Sequence, residues 1–135
     1  VLDVIKNGET QIAILDASAA CHMPDVLEMP YRPPLLGTDG SEEGGLTVRL
    51  GGPTCLSGDV IGDYKFRQLP KYGDLLLFGD MAIYTTCKNN TFNGMPLPDI
   101  WLRRADDTML QLTKFGYADF KERLGSRERN TFESL

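Results

Sequence analysis

The chain has 135 residues, 41% of them hydrophobic and 24% charged, which is one domain's length with enough apolar side chain to build a core. No apolar run reaches the ~20 residues that a membrane-spanning helix needs, and a net charge of −5 lacks the concentrated basic face that a nucleic-acid partner demands. The acidity is compatible with a small cationic substrate, although solubility alone is its commoner cause.

The first predicted element is the tail of a helix over residues 1–8, from the spacing of Val1, Val4 and Ile5 and the stop at Asn7-Gly8. Val1 falls in mid-element, so the parent protein is expected to extend upstream. Gln11 to Asp16 reads as a short β run through Ile12, Ile14 and Leu15. Residues 17–36 read as irregular, because Pro24, Pro30, Pro33 and Pro34 break up any long helix. Thr38 to Gly45 is a loop rich in Gly, Ser and acids.

Strands are then predicted at Leu46 to Leu50, Asp74 to Phe78, Met81 to Thr86, Asp99 to Arg103 and Met109 to Thr113. The second of these is apolar throughout and is expected to be buried on both faces. Gly73-Asp74, Gly79-Asp80, Asn93-Gly94 and Asp106-Asp107 punctuate the series as turns. Tyr117, Phe120 and Leu124 give a last helix that ends on Gly125, followed by a polar tail over 126–135 expected to fray. This order of short strands implies an antiparallel barrel or sandwich with a helix or two.

Cys21, Cys55 and Cys87 contain no C-x-x-C pair, and His22 is the single imidazole, so no metal site is expected. Unpaired thiols of this kind fit a reducing, cytoplasmic compartment. Cys55 stands out, because Gly51-Gly52-Pro53-Thr54-Cys55-Leu56-Ser57-Gly58-Asp59-Val60 flanks a thiol with glycines that permit close backbone approach. A loop of this kind could present the thiol to a ligand. On the residues alone, a cysteine plugging the core is the commoner use. A strand aromatic in the core is likewise the commoner use of Tyr84.

Gly52 to Val60 resembles the G-P-x-C-x-S/A-G-D-V element of the fold-type III pyridoxal-phosphate decarboxylases. Tyr72-Gly73-Asp74-Leu75-Leu76-Leu77-Phe78-Gly79-Asp80-Met81-Ala82-Ile83-Tyr84 is similar to a second family segment, from which Ile83 departs. Ile14-Leu15-Asp16-Ala17-Ser18 aligns with the family's strand-end aspartate. Within the family, Ala20-Cys21-His22-Met23-Pro24-Asp25-Val26-Leu27-Glu28-Met29-Pro30-Tyr31 resembles the carboxynorspermidine decarboxylase branch. So do Gly62-Asp63-Tyr64, Asn90-Thr91-Phe92-Asn93-Gly94, Leu97-Pro98-Asp99-Ile100 and Phe115-Gly116-Tyr117. Leu56 stands where the ornithine and diaminopimelate branches carry an acid, which also favours this branch.

The resemblance implies a mainly β fold: a C-terminal Greek-key-like β-barrel or sandwich, preceded by remnants of the last TIM-barrel helix and strand. The implied division is 1–35 for the end of the barrel domain and its connection, 36–125 for the β domain with its terminal helix, and 126–135 for a tail. It implies a lyase of polyamine (spermidine) biosynthesis that removes the α-carboxylate of carboxynorspermidine or carboxyspermidine, a small cationic carboxy-polyamine. Cys55 would be the proton donor, reaching across a homodimer interface into the partner's site; an unperturbed thiol, pKa ~8.5, carries its proton at neutral pH. Asp16 would contact the distal amine of the substrate, and Tyr84 the phosphate of pyridoxal 5'-phosphate. The cofactor's lysine would lie on the upstream barrel, so residues 1–135 alone are expected to be inactive. His22 would line the pocket or pack the loop. The alternative reading is a non-catalytic β domain for oligomerisation or ligand binding, with Cys55 structural.

Overall fold

The computed structural model describes residues 1–29, 31–36, 45–82 and 84–125. The expectations for the loop around 38–44, for Pro30, for the departure at Ile83 and for the tail over 126–135 lie outside the described residues. The chain forms two compact units, Val1–Met95 and Pro96–Leu135. No helix among the described residues is long and apolar enough to cross a membrane.

In the first unit, β1 (Asp3–Asn7) and β2 (Thr10–Ile14) form an antiparallel hairpin that pairs Asn7 with Thr10. The helix expected over residues 1–8 is therefore a strand. Asn7-Gly8 stops one element, as expected, but it does so as a reverse turn, with Gly8 at φ 58°. Val1, Val4 and Ile5 fit helical spacing only because the run is too short to separate the two periods.

β4 (Leu46–Gly51) lies parallel to β2, and β5 (Val60–Phe66) antiparallel to β4, giving a sheet of order β1-β2-β4-β5. The apolar residues of β4 alternate, so Val48 and Leu50 are buried while Thr47 and Arg49 face out. Ala13, Leu15, Val48, Leu50, Ile61 and Phe66 form the core with Ala19, Met23 and Leu35. The outer face carries Arg49, whose guanidinium grips the Asp63 carboxylate at 2.8 and 2.9 Å.

Two short helices, α1 (Ala19–His22) and α2 (Pro24–Glu28), occupy the stretch read as irregular. The prolines shorten helices here without abolishing them, because Pro24 sits in the first turn of α2, where its missing N–H has no helical partner to lose. The strand expected from Asp74 to Phe78 shrinks to β6 (Leu77–Phe78), paired with β3 (Leu35–Leu36). Leu75 is 98% exposed, so this run is not buried on both faces. The strand expected from Met81 to Thr86 is replaced by α3 (Tyr84–Lys88).

In the second unit, β7 (Ile100–Arg103) and β8 (Met109–Thr113) form the expected hairpin, turning at Asp106-Asp107 with Asp107 at φ 64°. Asp99 ties the end of β8 down, accepting from Gln111 at 2.8 Å and from the Phe115 amide at 2.9 Å. The expected last helix is α4 (Tyr117–Arg123), where the Asp119 carboxylate accepts the Gly116 N–H at 2.7 Å. The fold is thus mainly β with short helices, as expected. The described strands form one four-stranded and two two-stranded sheets, with no closed barrel among them.

Candidate functional site

β2 and β4 are parallel, so both strands leave the sheet at the same end, beside the pair Ile14/Gly51. The Leu15 N–H extends the ladder by one step, donating to the Gly51 carbonyl at 2.8 Å. Asp16 follows at once on one strand and is exposed. The loop Gly52 to Asp59 follows on the other and returns the chain into β5. Cys55 is exposed on this loop.

Asp59 shapes the loop. Its side chain lies inside, only 4% exposed, and its two oxygens accept four hydrogen bonds. Oδ1 accepts from Ser18 Oγ at 3.0 Å and from the Ala20 amide at 3.2 Å. Oδ2 accepts from Thr54 Oγ1 at 2.6 Å and from the Thr54 amide at 3.3 Å. One carboxylate therefore joins the residue before Cys55 to the start of α1. A buried carboxylate is tolerable only when its lone pairs are filled in this way. Gly52 completes the arrangement, because a Cβ there would stand 2.2 Å from Asp59 Oδ2.

α1 carries a second attachment. Ser18 caps it by accepting the Cys21 amide at 3.1 Å, and the Ser18 amide donates to His22 Nδ1 at 3.1 Å. Asn90 donates to the Ala20 carbonyl through its side chain at 2.7 Å and to the Cys21 carbonyl through its amide at 3.0 Å. The buried Cys21 thiol donates to the Phe92 carbonyl at 3.4 Å, and burial pushes this thiol up from its ordinary value. The turn Phe92–Gly94 held in this way contains Asn93 at φ 61°. Its Oδ1 accepts the Cys55 thiol at 3.2 Å.

Tyr84 belongs to a different neighbourhood. It opens α3, 59% exposed, at the rim of a hollow of about 290 Å³ walled by Met23, Val26, Met29, Tyr31, Asp80 and Met81. Lys88, one turn on, sits over its ring at 5.2 Å and pairs with Asp25 at 2.6 Å and Glu28 at 2.7 Å. These carboxylates, Asp25 foremost, hold the Lys88 ammonium above its ordinary range.

Asp16 and Cys55 therefore share one end of the sheet, whereas Tyr84 stands apart on α3, with none of the described hydrogen bonds joining it to the Cys55 loop. His22 accepts a backbone bond and closes α1. Sequence reasoning passed over Asp59, Ser18 and Asn93. All three lie inside motifs that carry the resemblance, but nothing local in the sequence pairs a carboxylate with a serine 41 residues earlier.

A family model described as the C-terminal sheet domain of pyridoxal-dependent decarboxylases matches residues 1–82. A carboxyaminopropylagmatine decarboxylase of Synechocystis sp. is 48% identical over 126 residues, covering 93% of this chain and 32% of that protein. A carboxynorspermidine/carboxyspermidine decarboxylase of Campylobacter jejuni is 39% identical over 134 residues, covering 91% and 35%. The chain thus spans about a third of the length of these curated relatives. The crystal structure of the C. jejuni carboxynorspermidine decarboxylase complexed with norspermidine superposes at a TM-score of 0.83, with 40% identity, over 91% of this chain and 36% of that one. A diaminopimelate decarboxylase from M. jannaschii shares the fold, at a TM-score of 0.75 and 20% identity, over 91% of this chain and 28% of that one.

Proposed function

The chain belongs to the pyridoxal-dependent decarboxylases, over their C-terminal sheet domain, and from that premise we propose that its parent enzyme decarboxylates a carboxylated polyamine. The substrate class is carboxynorspermidine or carboxyspermidine. Carboxyaminopropylagmatine joins the class because the relative at 48% identity is named for it. The observation that carries the reading is the exposed Cys55 thiol on a carboxylate-locked loop, at the sheet end that also bears Asp16.

The residues present fit only an edge of the cofactor. Tyr84 offers an exposed phenol that can donate to a phosphate oxygen. The hollow behind it is walled in part by Asp80, whose charge repels a phosphate, and by Asp25, whose charge is met by Lys88. The resemblance assigns the cofactor's lysine to a barrel domain outside these residues. Pyridoxal phosphate, when bound, supplies the sink for the electron pair left on the α-carbon as its bond to the carboxylate breaks.

This chain's part is the proton and the grip on the substrate. Cys55 Sγ–H gives its proton to the α-carbon that has lost CO2, yielding the amine. Solvent then returns a proton to the thiolate, which an exposed position allows. The Asp16 carboxylate receives a cationic group of the polyamine through a charge-assisted hydrogen bond. Cys55 acts in the partner's site of a homodimer, so each site takes its lysine from one chain and its thiol from the other.

The test is the Cys55→Ala variant of the full enzyme, assayed on all three substrates for amine and aldehyde. Turnover should fall by roughly 10²-fold or more, with aldehyde appearing as the proton goes astray. Subunit exchange with a variant lacking the cofactor lysine should restore about a quarter of wild-type activity, since half the dimers are hybrids with one intact site. Wild-type turnover to clean amine would remove Cys55 from the reaction. Exchange without recovery would confine Cys55 to its own chain.

A further inference from the structure

We propose that Asn93 is a positioning residue that fixes where the Cys55 thiol points. This rests on the reading of Cys55 as proton donor and adds the group that governs it.

The contact itself is direct. Cys55 Sγ donates to Asn93 Oδ1 at 3.2 Å, and the amide oxygen is a well-defined acceptor for the thiol. An exposed thiol otherwise rotates freely, so the acceptor also selects one χ1 well.

The placement of Asn93 is built independently of Cys55. A non-glycine residue at φ 61° is uncommon, and asparagine is among the few side chains that tolerate it. The turn is closed by Gly94 N–H on the Thr91 carbonyl at 3.1 Å and Met95 N–H on the Phe92 carbonyl at 3.1 Å. The Phe92 amide donates to Asn90 Oδ1 at 3.0 Å. Asn90 then fastens the turn to Ala20, whose carbonyl accepts its side-chain amide at 2.7 Å.

Ala20 is also where the thiol's loop is fastened, because its N–H donates to Asp59 Oδ1. The two faces of one peptide-bearing residue thus hold the donor loop and the acceptor turn. Thiol and amide come from residues 38 apart in sequence, yet both are referenced to α1. A fortuitous surface contact would not require the acceptor to sit in a left-handed conformation secured to the same short helix.

Two variants of the full enzyme test this without removing the turn. Asn93→Gly keeps the positive φ and deletes the acceptor, whereas Asn93→Asp keeps the shape and puts an anion against the thiol. The first readout is alkylation of Cys55 by iodoacetamide at pH 7.5, followed by peptide mass mapping, with the exposed Cys87 as internal reference. Loss of one hydrogen bond should speed Cys55 modification roughly fivefold in Asn93→Gly. The added charge should slow it roughly tenfold in Asn93→Asp. Cys87 should not change in either.

The second readout is turnover, where Asn93→Gly should lose severalfold in kcat at unchanged KM and release more aldehyde. Equal alkylation rates in all three proteins, or acceleration in both variants as a loosened loop would give, overturn the proposal. So does a kcat for Asn93→Gly equal to wild type. Alkylation needs no turnover, so it is judged separately from the decarboxylase reading, which fails instead when Cys55→Ala forms clean amine at the wild-type rate.

Discussion

Cys55 and Tyr84 are both exposed, yet the segments that carry them are secured by different means. The Cys55 loop hangs on a carboxylate that is 4% exposed and filled by four donors from two segments. α3, which carries Tyr84, is tied to α2 by the partly exposed Lys88 ammonium, which pairs with Asp25 and with Glu28, the latter in contact with water. Donors that face a buried acceptor have no water to replace it, so their network is stiff and costly to break. Ion pairs in water lose little when they part, because solvent takes over each charge. The difference separates a loop fastened from inside from a helix fastened at the surface.

The comparison breaks most visibly at Asp59. Asp59→Ala strands the Ser18 hydroxyl, the Ala20 amide and both Thr54 donors, and should lower stability by roughly 3 kcal/mol. Urea denaturation of the full enzyme reads this as a fall in midpoint at unchanged slope. A loss under about 1 kcal/mol would mean that water reaches these groups and that the loop is not locked.

A smaller effect is expected at Asp16, which shares the sheet end but lies in water. Asp16→Asn should raise KM for the polyamine roughly tenfold with kcat nearly unchanged, as a charge-assisted bond to the substrate is lost. An unchanged KM would reduce Asp16 to the residue that ends β2. The smallest effect is expected at Lys88. Lys88→Met should move Tm by less than about 2 °C, and by less still at high salt. A larger, salt-insensitive drop would put α3 in the same class as the Cys55 loop.

Much of the sheet was legible in the sequence. β2, β4, β7, β8 and α4 have periodic apolar residues bounded by turn chemistry, and the structure keeps them within a residue or two. The turns at Gly73, Asp80, Asn93 and Asp107 are marked by the positive φ that Gly, Asn and Asp accept. The failures share a cause. Residues 74–78 and 81–86 are apolar enough for strands, but among the described residues only Leu77 and Phe78 find a partner strand, and propensity yields to what pairing exists. β5 escaped notice because Gly62-Asp63-Tyr64 interrupts its alternation. At the site, motif likeness singled out Cys55, Asp16 and Tyr84, but it could not find the carboxylate and the amide that hold the thiol, since both act across long sequence separations.

The parallel seam between β2 and β4 also sets an order of assembly. β1–β2 and β4–β5 are neighbours in sequence and can pair locally within microseconds. β2 and β4 cannot, because α1, α2 and β3 lie between them and that crossover must close before any contact across it is gained. Asp59 comes from one side of the seam, Ser18 and Ala20 from the other. The carboxylate therefore finds its last partners only after two preformed hairpins have zipped together. Before that step the Asp59 carboxylate of the Cys55 loop has only the local bonds from Thr54, and completion of the sheet adds the Ser18 and Ala20 donors that fasten the loop to α1.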